Sequence, residues 1–257
     1  SSSRSDTAIR TERLFSRMSQ ASVASESTLL GTLQALILFV AGIVGASFAV
    51  AVWESVAASL GVAEGTTASQ LLRTTFQFAG FAAPALLFVA AAGDRSLLPF
   101  SLPDRRQVAL VVGGFVGLYA LQYGLLSVLG IAGIEPAQNP AIDPETHTPA
   151  YFLWMVLVSL LVVGPAEELL FRGAIQGLLK RAWGPWPAIL AAGALFSSLH
   201  LFGGVSPSTL AYVGIAFLLG SVLGVLYEYS GNLVVPAVAH GLFNAAAFGI
   251  QYLSVTG

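Results

Sequence analysis

The sequence predicts an all-α fold, a polytopic transmembrane helical bundle, and three observations predict it. Hydrophobic residues make up 56% of the 257-residue chain and charged residues only 9%, against about 25% charged in a soluble domain. The mean hydropathy is +0.80. Apolar runs of the length that crosses a bilayer, about 20 residues, alternate with polar connections rich in proline and glycine. The formal charge of −2 leaves no basic patch for nucleic-acid phosphates. With no cysteine in the chain, disulfides, thiol catalysis and cysteine metal sites are excluded.

Residues 1–28 are polar and Ser-rich, carry Arg4, Arg10, Arg13 and Arg17, and read as a surface-lying or mobile tail without a secretory apolar region. Residues 29–257 read as one transmembrane domain. Its first span covers 29–53, followed by a mixed loop over 54–72 with a short helix at 55–62. The second span covers 74–92, and a polar connection with two prolines fills 94–106. The third span is 107–131, followed by the acidic, proline-rich loop 135–149. A long fourth helix covers 151–181 and turns at 183–187 into a fifth span ending at residue 201. Residues 208–227 and 233–253 form the sixth and seventh. Seven spans is the reading, within a range of six to eight.

Basic residues orient the bundle. With the N-terminal tail cytoplasmic, one side holds Arg95, Arg105, Arg106, Lys180 and Arg181, and the other only Arg73. That is the positive-inside bias of an integral, multi-pass protein, and it places the loop 135–149 outside. Glycines at Gly113-Gly114-x-x-Gly117 and Gly220-x-x-x-Gly224 read as small-residue packing faces without chemistry.

The stretch Gly164-Pro165-Ala166-Glu167-Glu168-Leu169-Leu170-Phe171-Arg172-Gly173 interrupts this apolar pattern with three charges. A charge at the bilayer centre costs at least about 2.5–3.5 kcal/mol, so charges there are used or paired. On a helix Glu168 and Arg172 stand four apart with the acid first, the favourable order for an ion pair. Glu167 points about 100° away, leaving one carboxylate held by its own helix and one free. Pro165 cannot donate to the carbonyl of Leu161, which predicts a local kink that admits water. The bland alternative places these charges at the end of a span, where they are commonplace.

Of the three histidines, His147 lies in the acidic loop with Asp143 and Glu145 and reads as solvated. His200 ends the run Phe196-Ser197-Ser198-Leu199-His200, and His240 shares a helical face with Asn244. Each alone would be a structural hydrogen-bonding histidine within a bundle. Depth argues for convergence. Glu167 precedes Lys180 by thirteen residues and His200 follows Trp186 by fourteen, so both lie roughly 20 Å from one surface at 1.5 Å per residue. His240, nine residues past Gly231, lies roughly 13 Å in.

Together, Glu167-Glu168-x-x-x-Arg172, Phe196-x-x-x-His200 and His240-x-x-x-Asn244 resemble the three motifs of the CPBP intramembrane proteases. That family groups type II CAAX prenyl endopeptidases with bacteriocin-processing and bacteriocin-immunity proteins. The resemblance covers a catalytic core at about 151–250, and it is the order of the three motifs that makes it specific. It implies an intramembrane endopeptidase acting on a membrane-associated peptide, such as a prenylated C-terminus. In its terms Glu167 is the general base, His200 helps to hold the water, His240 and Asn244 stabilise the oxyanion, and Glu168, Arg172 and Phe196 support them. No cofactor is expected, with zinc as the alternative.

Three readings compete. Glu167, His200 and His240 also make a His-His-carboxylate set suited to catalytic zinc. Against zinc, Asn244 beside His240 suits an oxyanion better, and outer partners for the histidines are scarce because Glu168 is committed to Arg172. A non-catalytic scaffold or immunity protein would keep the motifs for packing. A transporter would use the same residues as a proton relay, although the chain shows no internal repeat.

Overall fold

A computed structural model describes residues 2–201 and 204–257, with side chains from residue 26 onward. Among the described residues it contains seven α-helices and no strand: α1 (Ser2–Ser59), α2 (Thr67–Ala92), α3 (Arg105–Ile131), α4 (Pro149–Trp183), α5 (Pro185–Ser198), α6 (Pro207–Ser230) and α7 (Val234–Thr256). The tail reading of residues 1–28 falls mostly outside the described side chains. Six helices are long and apolar enough to cross a membrane, and the chain is a multi-pass integral membrane protein.

The exception is α5. Its 14 residues reach about 21 Å, short of a hydrocarbon core of about 30 Å. The run expected to continue to residue 201 stops at Ser198 because the backbone tightens: Leu199 N–H donates to the Phe196 carbonyl and His200 N–H to that of Ser197. Other boundaries shift for local reasons. The first helix runs unbroken through the expected loop helix to Ser59. Thr66 caps α2 through Ser69 N–H, and Asp104 closes a capping box with Gln107 at the start of α3.

Loop contacts define the two ends of the bundle. At one end Arg181 pairs with Asp94, Lys180 pairs with Glu228, and Asn232 donates to the Ser101 carbonyl at 2.9 Å. At the other, Thr67 bonds Thr148 at 2.8 Å and Ala137 N–H donates to the Ser208 carbonyl at 2.9 Å. The first end holds Arg95, Arg105 and Arg106 as well, so among the described side chains the basic residues segregate to this end, apart from Arg73 and the buried Arg172.

The centre of the molecule is α4. Every residue from Leu170 to Ile175 is buried, and Phe171, Ala174 and Ile175 join Leu38 of α1, Phe81 of α2 and Phe196 of α5 in one core. A second cluster packs Val111 and Leu118 of α3 against Leu223 of α6 and Ala239 of α7. Outward-facing Ile37, Phe48, Leu87, Val128 and Leu161 are exposed, as lipid-facing residues are. Where α1 crosses α2, a Cβ on Gly45 or Gly80 would strike the other's carbonyl oxygen.

Two stretches of α4, Ser159–Val163 and Leu169–Gln176, are π-helical, with widened turns of a kind that recurs at functional sites. Pro165 directly follows the first, where Gly164 N–H already reaches back to the Ser159 carbonyl. The wider turn absorbs the missing proline donor without breaking the helix.

Candidate active site

Glu167 and Glu168 lie between the two π-helical stretches of α4. The expected ion pair is formed: Arg172 Nε lies 3.1 Å from Glu168 Oε2, with both side chains about as buried as side chains can be. Glu168 is not committed to Arg172 alone, however. His240 of α7 donates from Nδ1 to Glu168 Oε1 at 2.9 Å. That hydrogen bond turns the other ring nitrogen, Nε2, toward Glu167, whose Oε2 stands 3.5 Å away. One imidazole is thus bracketed by two carboxylates.

Two glycines allow this approach. A Cβ on Gly164 would lie 2.7 Å from the Ala237 carbonyl oxygen and 2.9 Å from Gly241 Cα. One on Gly241 would lie 3.0 Å from Leu160 Cα and from the Ser159 carbonyl oxygen. Only backbone without side chains lets α4 and α7 cross this closely, and Gly241 stands beside His240.

Phe196 links the remaining groups. Its ring stands edge-on to Phe171 at 5.2 Å and lies 5.1 Å from the His200 ring and 5.9 Å from the His240 ring. The Arg172 guanidinium lies 5.1 Å from its centroid, a cation–π contact. His200 donates from Nδ1 to the Phe196 carbonyl at 3.2 Å, which leaves Nε2 as the acceptor nitrogen. Asn244, one turn beyond His240, is half-buried. The Phe243 carbonyl beside it accepts from Tyr119 of α3 at 3.1 Å.

Four sequence readings change. His147 is not a solvated loop histidine: it stacks on Tyr151 with ring centroids 4.0 Å apart, and desolvation lowers its proton affinity. Gly113 and Gly117 face open space, so that stretch is a packing face only at Gly114, where a Cβ would lie 2.7 Å from Leu226. Gly220 and Gly224 do more than pack, because their carbonyls accept hydrogen bonds from Arg172 and Gln176 at 2.9 and 3.2 Å. Glu168 also supplies His240 with the partner judged scarce, so that objection to zinc falls.

Sequence reasoning missed Tyr212 and Gln176. Tyr212 of α6 lies 5.6 Å from the His200 ring and within range of the Glu167 charge. Gln176 is fully buried and continues the four-residue row Glu168, Arg172, Gln176, Lys180, a spacing that could have revealed it. Zinc needs its ligands around one point. Among the described residues no three His, Asp or Glu side chains are so grouped.

Comparison with known proteins agrees with the motifs. Residues 149–246 match the family described as type II CAAX prenyl endopeptidase Rce1-like. A 92-residue stretch, 35% of this chain, is 37% identical to the uncharacterized protein YpbD of Bacillus subtilis (strain 168). The chain spans 42% of that relative's length. No solved structure matches.

Proposed function

We propose that this chain, whose residues 149–246 carry the Rce1-like match, is an intramembrane endopeptidase of the CAAX-protease kind that uses Glu167 as its general base. The observation that carries the proposal is the His240 ring held between Glu167 and Glu168. Its substrate class is a membrane-associated peptide with a prenylated C-terminus, and the basic end of the bundle faces the cytoplasm.

In this reading Glu167 takes a proton from water as the oxygen adds to the scissile carbonyl. His200, with Nε2 as acceptor, holds the second water hydrogen. Charge then develops on the carbonyl oxygen, where the Asn244 amide donates and the His240 ring, protonated on both nitrogens between its two carboxylates, donates from Nε2. One such donor contributes about 2.7–4 kcal/mol. Glu168 fixes the His240 ring and is itself fixed by Arg172. Collapse of the tetrahedral intermediate breaks the C–N bond, and the proton on Glu167 passes to the departing amine.

The experiment is turnover of a quenched fluorescent peptide ending in farnesyl-Cys-Ala-Ala-Met by the purified chain in lipid nanodiscs. Glu167→Gln should abolish cleavage while the protein remains folded. Cleavage by Glu167→Gln at the wild-type rate refutes the base, and no cleavage by either protein supports a non-catalytic scaffold. Chelation followed by elemental analysis addresses zinc: activity lost with stoichiometric zinc and restored with it overturns the metal-independent mechanism.

A further inference from the structure

Beyond the site, a row of polar side chains runs along α4 to the basic end of the bundle. Glu168 pairs with Arg172, Arg172 donates through Nη2 to the Gly220 carbonyl, and Gln176 donates through Nε2 to both the Gly224 carbonyl and Glu228 Oε1, the last at 3.0 Å. Lys180 then pairs with the other oxygen of Glu228 at the protein surface. The row on α4 meets Gly220, Gly224 and Glu228, spaced by four on α6.

The match between the two rows is built in. A Cβ on Gly224 would stand 2.8 Å from Gln176 Oε1, and one on Gly220 would stand 2.9 Å from Phe196. A side chain at Gly224 would displace the Gln176 amide of α4, and one at Gly220 the Phe196 ring of α5. An ideal α-helix rotates a four-residue row by about 40° per step, which would carry Gln176 and Lys180 off this face. The π-helical stretch Leu169–Gln176 turns each residue through a smaller angle and keeps the row facing α6. A widened turn makes i→i+5 rather than i→i+4 bonds, and the bonds from Arg172 and Gln176 to the Gly220 and Gly224 carbonyls tie this stretch to α6.

We propose that Gln176 and Glu228 are positioning residues: by anchoring α4 to α6 they set the rotation at which Glu167 and Glu168 face His240. Gln176 is eight residues past Glu168, about 12 Å along the helix, and acts through Arg172 rather than on substrate. The kinetic part rests on the hydrolase reading above, whereas the spectroscopic part does not.

Both parts use the full chain in nanodiscs. Gln176→Met keeps the volume and removes the donor; Glu228→Leu removes the acceptor, and Glu228→Gln restores one. With the farnesyl peptide, Gln176→Met and Glu228→Leu should each lower kcat about tenfold with KM within twofold. The double variant should be no slower than either single, because both break one link. Glu228→Gln should recover most of the loss.

The chain has only three histidines, so a 15N-histidine spectrum resolves each ring, with His240→Gln identifying its own. Gln176→Met should shift the His240 ring resonances and leave those of His147, at the opposite end, unchanged. Unchanged His240 resonances overturn the proposal whether or not the peptide is cleaved. So does a fall in thermal stability with kcat intact, which would make the row purely structural. Absence of cleavage by wild-type protein, with the His240 shift present, defeats only the hydrolase reading.

Discussion

Removing Glu168 should damage the fold, whereas removing Glu167 should damage only catalysis. In Glu168→Ala, Arg172 stays in place, 1% exposed, without its counter-charge. Breaking a buried pair from one side costs about 3–5 kcal/mol because the remaining charge is desolvated and unpaired. At roughly 2–4 °C per kcal/mol, the unfolding midpoint should fall by about 6–20 °C. Glu167 has no such partner: its carboxylate only approaches His240 at 3.5 Å, and Glu167→Ala should unfold near the wild-type temperature while losing cleavage. The double variant Glu168→Leu/Arg172→Met removes both charges and should recover most of the stability. The remaining deficit reflects His240, whose Nδ1 loses its acceptor at about 1–3 kcal/mol. Thermal unfolding in one detergent, read by intrinsic fluorescence, measures all four proteins. A Glu168→Ala protein as stable as wild type, or a double variant less stable than Glu168→Ala, would refute the pairing argument.

Other outcomes follow from the same contacts. Gly224→Ala should lower both stability and turnover, since its Cβ meets Gln176 Oε1 at 2.8 Å and Ile189 at 3.1 Å, whereas Gly117→Ala meets nothing and should be neutral or stabilising in thermal unfolding. The Arg181 guanidinium, first, and then Ser96 hold the Asp94 carboxyl down to about 2 from an ordinary 3.8. The stability from that contact is therefore present above the ordinary value and lost as pH falls from 3.8 toward 2, and Asp94→Asn should flatten the unfolding profile across that window. Single cysteines in this cysteine-free chain report orientation: an impermeant maleimide should label Glu145→Cys and not Leu102→Cys in intact cells, and the reverse pattern would invert the topology.

What is linear in the chain can be read from its residues alone. Hydropathy marked the membrane class and the order of the helices, because a span is a property of consecutive residues. The Glu168–Arg172 pair was legible for the same reason: four residues apart on one helix is a local geometry. The three motifs were visible as polar residues that an apolar run does not tolerate without use. What those residues face depends on how the helices pack. His240 meets Glu168 across 72 positions, and no periodicity links positions that far apart. Their meeting depends on how closely α4 and α7 cross, which Gly164 and Gly241 govern, and on how far α4 is rotated, which its π-helical turns govern. Neither closeness nor rotation leaves a mark in hydropathy. The early stop of α5 has the same origin, since the turn at Leu199 and His200 is made by hydrogen bonds to Phe196 and Ser197 rather than by a proline or glycine. Tyr212 and Gln176 passed as an ordinary aromatic and an ordinary amide because their partners, His200 past the end of α5 and Gly224 and Glu228 on α6, are distant in the chain.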